Sequence, residues 1–351
     1  METAAFHVKP ETSAPRQEFY DRLAIKSTAP LWEHLARLVT PEPQTTSVPA
    51  LWRYDEIRPL LMEAGELISA KEAERRVLVL ENPGVRGESK ITSSLYAGLQ
   101  LVMPGETAPT HRHTASALRF VLESDGGYTA VDGERATMHP GDFILTPNWT
   151  FHDHGNPGSK PTVWLDGLDL HIVNLLGASF ATHCPQELQP ATRPEHDAQA
   201  RYGANLLPLE FKAASSAAPI FSYPYDRSRE ALETLSRNGP LSPVHGIKMQ
   251  YINPATGGYP MPTIAAFLQL LPKGFRGQAS RSTDATVYCV AEGRGSTHVG
   301  MQSFHWRRHD IFVVPTWNSV CHNSDEDSVV FSFSDRAAQK ALGLWREEVL
   351  S

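Results

Sequence analysis

Apolar residues near the start of the chain recur at helical spacing. In "LWEHLARLV", Leu31, Leu35 and Leu38 fall at i, i+4 and i+7, one face of a helix, and "YDEIRPLLMEAGELI" reads as a second helix despite Pro59 and Gly65. The Pro-rich stretch "TPEPQTTSVP" links the two. From "RRVLVLENPG" onward the period shortens. Apolar runs such as "SLYAGLQLVMPGE", "ALRFVLES", "GDFILTPNWTF" and "PTVWLDGLDL" alternate with Gly, Pro and Asp turns, roughly one strand per 8–12 residues, the texture of an all-β barrel or jelly roll. Residues 181–245 are rich in Pro and Ala around one helical patch, "SREALETLSR", and read as a wrapping linker. The β texture returns from 246 in "TIAAFLQLLPKG", "ATVYCVAEG", "IFVVPTWNS" and "VVFSFSD", and "RAAQKALGLWREEV" reads as a terminal helix. The expected organisation is a helical segment over 1–75, a first barrel over 76–180, a linker over 181–245 and a second barrel with its helix over 246–351.

The two β regions repeat one another. "GDFILTPNWTFHDHGN" aligns with "HDIFVVPTWNSVCHNS" at an offset of 168, matching Asp142 with Asp310, Pro147 with Pro315, Trp149 with Trp317 and His154 with His322. "RFVLES" aligns with "YCVAEG" at an offset of 169, matching Glu123 with Glu292. A single-residue gap reconciles the blocks, and duplication of a β-domain is the economical reading.

Composition narrows the class without choosing a function. A net charge of −7 with acids and bases intermixed argues against a nucleic-acid partner. No apolar run reaches membrane-span length, and the first residues lack a basic flank followed by an apolar stretch, so the expectation is a cytoplasmic chain with no membrane partner. Three widely spaced cysteines fit a reducing compartment. The 15 histidines become informative only through their spacing.

In "PTHRHTASALRFVLES", His111 and His113 stand two apart, so on a strand both project to one face. Taken alone, the pair is equally that of two histidines on a solvated face. His152, following a Gly-Asp turn and a strand, is where a hairpin would return a third imidazole to the same point. Three neutral imidazoles suit Fe(II), Zn(II), Mn(II) or Cu(II), and the spacing does not choose among them. In the second repeat, His111 and His113 map to Ser280 and Ser282 and His152 maps to Val320, so one metal per chain is expected.

The H-x-H pair followed by a single His after "G-D…P…W" resembles the two motifs of the cupins. The first motif normally adds a Glu four or five residues past the second His, where this chain has Ala117 and Leu118. "ETAPTHRHTASALRFVLES", "GDFILTPNWTFHDHGN", "WLDGLDL" and "YINPATGGYPMPT" resemble the gentisate 1,2-dioxygenase family, which includes salicylate and 1-hydroxy-2-naphthoate dioxygenases. The resemblance implies a mainly β bicupin of two jelly-roll barrels with one Fe(II) per subunit on His111, His113 and His152. It also implies a homotetramer that cleaves a small aromatic acid with O2. The substrate expected first is gentisate. Salicylate, 1-hydroxy-2-naphthoate, or a non-oxidative cupin that only binds a small acid are the alternatives.

Further candidates follow. Arg119, six residues after His113, is placed by parity on the same strand face, beside the metal, suited to a substrate carboxylate. The resemblance adds Arg75 (or its neighbour Arg76) and Gln100 as substrate contacts, with Tyr96 on the face of Gln100. It makes His154 an acid–base or hydrogen-bonding residue, although the match with His322 also fits a structural role. Asp166 either orients a ligand histidine or meets a substrate hydroxyl, and its D-G context is also that of a turn.

Overall fold

The computed structural model describes residues 13–213 and 215–351. The first dozen residues of the expected helical segment lie outside that range. The chain divides into two units, Met1–Gln44 and Thr45–Ser351. In the first, helices α1 (Ala14–Ile25) and α2 (Leu31–Leu38) are tied by Glu33, which accepts from Arg16 at 2.6 Å and from the Tyr20 hydroxyl at 2.7 Å. The i, i+4, i+7 spacing of leucines thus does form a helix.

The second unit is built from β1 (Ala50–Trp52), α3 (Tyr54–Leu67), α4 (Ala70–Ala73), β2 (Val77–Val79), β3 (Tyr96–Val102), β4 (Thr107–His113), β5 (Ala117–Glu123), β6 (Tyr128–Val131), β7 (Glu134–Thr137), β8 (Phe143–Thr146), β9 (His152–Gly155), β10 (Thr162–Leu168), α5 (Leu170–Leu175) and β11 (Ala181–His183). After α6 (Asp197–Tyr202) the plan recurs. It runs through β12 (Ser222–Tyr223), α7 (Tyr225–Asn238), β13 (Ile247–Gln250), β14 (Ala265–Leu271), β15 (Ser280–Ser282), β16 (Thr286–Glu292), β17 (Arg294–Val299), β18 (Gln302–Arg307), β19 (Ile311–Val314), β20 (Val320–Ser324), β21 (Ser328–Ser334), α8 (Arg336–Ala341) and β22 (Glu347–Val349). Each barrel combines a six-stranded with a five-stranded sheet: β12-β8-β5-β10-β3-β2 with β11-β4-β9-β6-β7, then β1-β19-β16-β21-β14-β13 with β18-β17-β20-β15-β22. No helix among the described residues is long and apolar enough to cross a membrane.

The six-stranded sheets share one apolar core. Phe120 of β5 stacks on Phe331 of β21 with centroids 4.3 Å apart, and Phe143 and Tyr251 join them. Gly167 keeps β10 close to the other sheet, because a Cβ there would meet the Phe333 ring at 2.7 Å.

Each repeat also holds the other through polar contacts. β1 pairs with β19 of the second barrel, while β12 pairs with β8 of the first. Asp310, fully buried, accepts from the Tyr54 backbone N–H at 3.0 Å and so caps α3. Asp142 caps α7 the same way, accepting from Tyr225 N–H at 2.9 Å. Along α3, the Tyr54 hydroxyl and Arg58 bind Glu123 of β5. Along α7, the Tyr225 hydroxyl and Arg229 bind Glu292 of β16. Each helix therefore takes its cap from one barrel and docks on the other.

Two local expectations change. The 181–245 stretch contributes β11 and β12 to sheets and the 14-residue helix α7. The terminal helix stops at Ala341, since Gly343 turns into the left-handed region at φ 72°, and Glu347–Val349 then pairs with β15.

Candidate metal centre

β4 and β9 of the first barrel bring the histidines together. Two residues of β4, Pro109 and Thr110, stand opposite the single Asp153 of β9, between the pairs Ala108–His154 and His111–His152. This bulge changes the parity of β4, so that His111 faces inward like Ala108 although three positions separate them. The ligand atoms of His111, His113 and His152 lie within 4.8 Å of one another, the one such group of three among the described residues.

The rings are oriented by backbone carbonyls. His113 Nδ1 is 2.8 Å from the Ala115 carbonyl and His152 Nδ1 is 3.0 Å from that of Thr150, so each Nδ1–H donates outward and Nε2 stays free as a base. His111 Nδ1 lies 3.4 Å from the Pro109 carbonyl and also touches the Arg75 guanidinium. Burial, reinforced by Arg75, pushes the His111 pKa down to about 3, and burial lowers His113 and His152 too. All three are neutral at physiological pH, as metal ligation requires. The residues fit a borderline divalent ion.

The triad opens into a cavity of about 270 Å³ that all nine sequence-selected residues line: Arg75, Tyr96, Gln100, His111, His113, Arg119, His152, His154 and Asp166. Arg76 turns away to pair with Glu106 at 2.7 Å, which decides between the neighbouring arginines. Arg119 arrives by a different route from the one expected. The chain bends at 114–116, so Arg119 lies on β5, in the opposite sheet from His113, and reaches the lumen because β5 alternates between Phe120 outward and Arg119 inward. It donates to the Thr146 hydroxyl at 2.7 Å, and its Nε is 3.8 Å from Asp166 across the β5–β10 register. Asp166 accepts from Trp164 Nε1 at 2.9 Å. It is spent on Trp164 and Arg119, while backbone carbonyls serve the ligand histidines. His154 stands outside the triad, with Nδ1 3.0 Å from the Thr129 hydroxyl. Its counterpart His322 has the same partner, Thr297, at 2.8 Å.

The electrostatics of the cavity are positive. Burial, then repulsion from Arg119, lowers the Arg75 pKa to about 10, and burial lowers that of Arg119. Burial lifts the Asp166 carboxyl to about 6 against the pull of Arg119. Three buried nitrogens facing this space, Gln100 Nε2, Arg119 Nε and His154 Nε2, have no hydrogen-bond partner. Unpaired buried polar atoms of this kind are costly unless a ligand or water meets them. The apolar part of the wall, Val77, Ala117, Leu168 and Leu170, was not singled out from sequence. Strand parity held the signal for two of them, since Ala117 lies two positions from Arg119 on β5 and Leu168 two from Asp166 on β10.

Duplicated barrels with a three-histidine centre in the first define a bicupin metalloprotein. A family model described as "Cupin domain" matches residues 98–168. The chain is 55% identical over 343 residues to gentisate 1,2 dioxygenase 1 of Aquipseudomonas alcaligenes, covering 98% of this chain and 99% of that protein. It is 37% identical to 5-aminosalicylate 1,2-dioxygenase of Comamonas sp, covering 94% and 89%. Its structure matches salicylate 1,2-dioxygenase from Pseudoaminobacter salicylatoxidans, solved as an adduct with gentisate, at TM-score 0.91 and 31% identity over 98% and 96% of the chains. The chain belongs to the gentisate 1,2-dioxygenase family of ring-cleaving dioxygenases.

Proposed function

We propose that this chain cleaves gentisate with O2 to maleylpyruvate, using one Fe(II) held by His111, His113 and His152, and works as a cytoplasmic homotetramer. The observation that carries the substrate reading is the set of unpaired nitrogens on Gln100, Arg119 and His154 beside the histidine triad. Such a lining fits an anionic, oxygen-rich planar acid, and the 55% identity to a gentisate dioxygenase supports gentisate in particular.

When bound, Fe(II) supplies the centre at which the aromatic acid and O2 react. The chain's own residues do the rest. The neutral histidines leave the ion its charge, and no Glu occupies the usual fourth cupin position, so room remains for substrate. Arg119 binds the substrate carboxylate, and Arg75 adds charge from the β2 side. An anion between them relieves their mutual repulsion. Gln100 Nε2 and His154 Nε2 donate to ring oxygens. His154, with Nδ1 on the Thr129 hydroxyl, exchanges a proton at Nε2 in this reading. Asp166 offsets one of the two arginine charges and orients Arg119 through their 3.8 Å contact. Val77, Ala117, Leu168 and Leu170 enclose the ring and keep water off it.

Oxygen uptake by the Fe(II)-loaded protein, followed with gentisate, salicylate and 1-hydroxy-2-naphthoate, tests this. Gentisate turnover at least ten times more efficient than salicylate turnover is expected, since salicylate lacks the electron-donating para hydroxyl. Equal rates would move the chain to the salicylate class. No uptake at full iron loading would favour a small-acid-binding protein.

A further inference from the structure

The outward face of the metal strands carries a buried cluster that touches no substrate space. Asp153, between His152 and His154, points away from the cavity and is 2% exposed. One of its oxygens, Oδ2, lies 2.9 Å from the Thr110 hydroxyl and accepts from the Gln189 backbone N–H at 3.2 Å and side-chain Nε2 at 2.9 Å. Gln189 in turn donates to the Ala130 carbonyl of β6 and accepts from Gly133 N–H. Thr110 belongs to the bulge that aims His111 inward, and Asp153 is the residue opposite that bulge. The carboxylate therefore grips the irregularity that decides where two ligand strands point.

The second barrel supplies an internal control. Its β15 and β20 pair Ser280 with Val320, and Gly277 N–H bonds the His322 carbonyl, so the same two-against-one bulge survives there with no ligands. Other features also survive. Arg112 stacks on Trp149 at 4.3 Å as Arg281 does on Trp317 at 4.6 Å, and Thr129–His154 recurs as Thr297–His322. Thr110 and Asp153 do not recur. At the repeat offsets they become Ala279 and Cys321. What both barrels keep does not depend on a metal. What is missing together with the three ligands tracks the metal.

We propose that Asp153, acting through Thr110 and Gln189, is a positioning residue that fixes the β4–β9 bulge so that His111, His113 and His152 converge on the ion. This rests on the three-histidine metal reading. The bulge of the second barrel stands without such a pair, so variants lacking it are expected to fold. Outer hydrogen-bond partners of metal ligands typically contribute 10–100-fold in affinity.

The test uses Co(II) as probe on the metal-free full chain, with the dissociation constant from chelator competition, the visible spectrum of the bound ion and the melting temperature before metal addition. Asp153→Ala is expected to weaken Co(II) by roughly 10–100-fold and alter its spectrum. Thr110→Ala, a smaller change that leaves the carboxylate on Gln189, is expected to weaken it by roughly three- to tenfold. Asp153→Asn, which keeps an acceptor oxygen, is expected to recover much of the loss. Wild-type Co(II) affinity and spectrum in both alanine variants would overturn the proposal, even with a lowered melting temperature, because the cluster would then be structural only. Should Asp153→Ala fail to fold, Thr110→Ala decides. An unaltered chain that binds no Co(II) would sink the metal reading and this proposal together.

Discussion

Replacing Arg119 with methionine separates what that cation does for the fold from what it does for substrate. The side chain is 3% exposed, and methionine keeps much of its apolar stem while removing the charge. The structural loss falls on Asp166, 3.8 Å away, and on the buried Thr146 hydroxyl, which accepts from Arg119 at 2.7 Å. Its carboxyl already sits at about 6 because of burial. Without Arg119 it rises further and stays protonated at neutral pH. Moving from an ionised group with a pKa near 6 to one protonated at pH 7 costs about one pKa unit, roughly 1.4 kcal/mol. No longer burying a guanidinium offsets part of that, so the melting temperature should change by only a few degrees. Binding should change far more. Losing a two-pronged, charge-assisted contact to a carboxylate in a dry site costs about 3 kcal/mol, or roughly 100-fold in KM. The assay is oxygen uptake against gentisate concentration, with iron content and thermal melting on the same preparations. Adding Asp166→Asn should restore stability and leave KM high. A KM within threefold of wild type in the Arg119→Met protein at normal iron content would refute the reasoning.

Three further outcomes are expected. Because the folded pKa of Asp166 lies above its ordinary value, its ionisation opposes folding; metal-free wild type should match Asp166→Asn near pH 4 and fall behind by about 3 kcal/mol as pH rises through 6, and denaturant curves parallel at every pH would contradict this. His152→Ala should lose most bound iron and all ring cleavage while keeping its circular dichroism, and full iron occupancy would remove His152 from the ligand set. Asp310→Ala strands the Tyr54 and Arg307 amides and the Arg53 guanidinium, and should cost about 2–4 kcal/mol of stability by denaturant titration although the histidine triad is in the other barrel; a loss below about 0.5 kcal/mol would show that the cap contributes little.

The histidine triad was legible because its cause is local: a spacing of two on a strand, plus a Gly-Asp turn that returns the chain. The bulge that turns both histidines inward was not read, although Pro109 inside a strand run is a residue that belongs at edges and bulges. Arg119 was found by a parity count that crossed a bend, a coincidence that the second strand's own alternation happened to reproduce. Matching Asp142 with Asp310 and Glu123 with Glu292 exposed their equivalence. It said nothing of their partners, because equivalence relates one repeat to the other while the contacts run crosswise, from Tyr54 to an Asp 256 positions away. Nor does any single-chain pattern distinguish Arg75 from Arg76; the ion pair with Glu106 does.

The crosswise arrangement of β1–α3 and β12–α7 bears on how this gene could be cut. Severed anywhere between β11 and β12, the first half would carry α3 with its leading amides uncovered and β8 with an open edge, and the second half would show the same defects at α7 and β19. Open edges invite intermolecular pairing. The fragments should aggregate when expressed alone and reassemble when expressed together, each acting as the other's chaperone. Melting of the intact unit should likewise be a single transition for both barrels. The ligand-free barrel thus covers edges and amides that its neighbour would otherwise expose, and mutations that spare its lumen but loosen its grip on Tyr54 or β1 should lower activity from a distance.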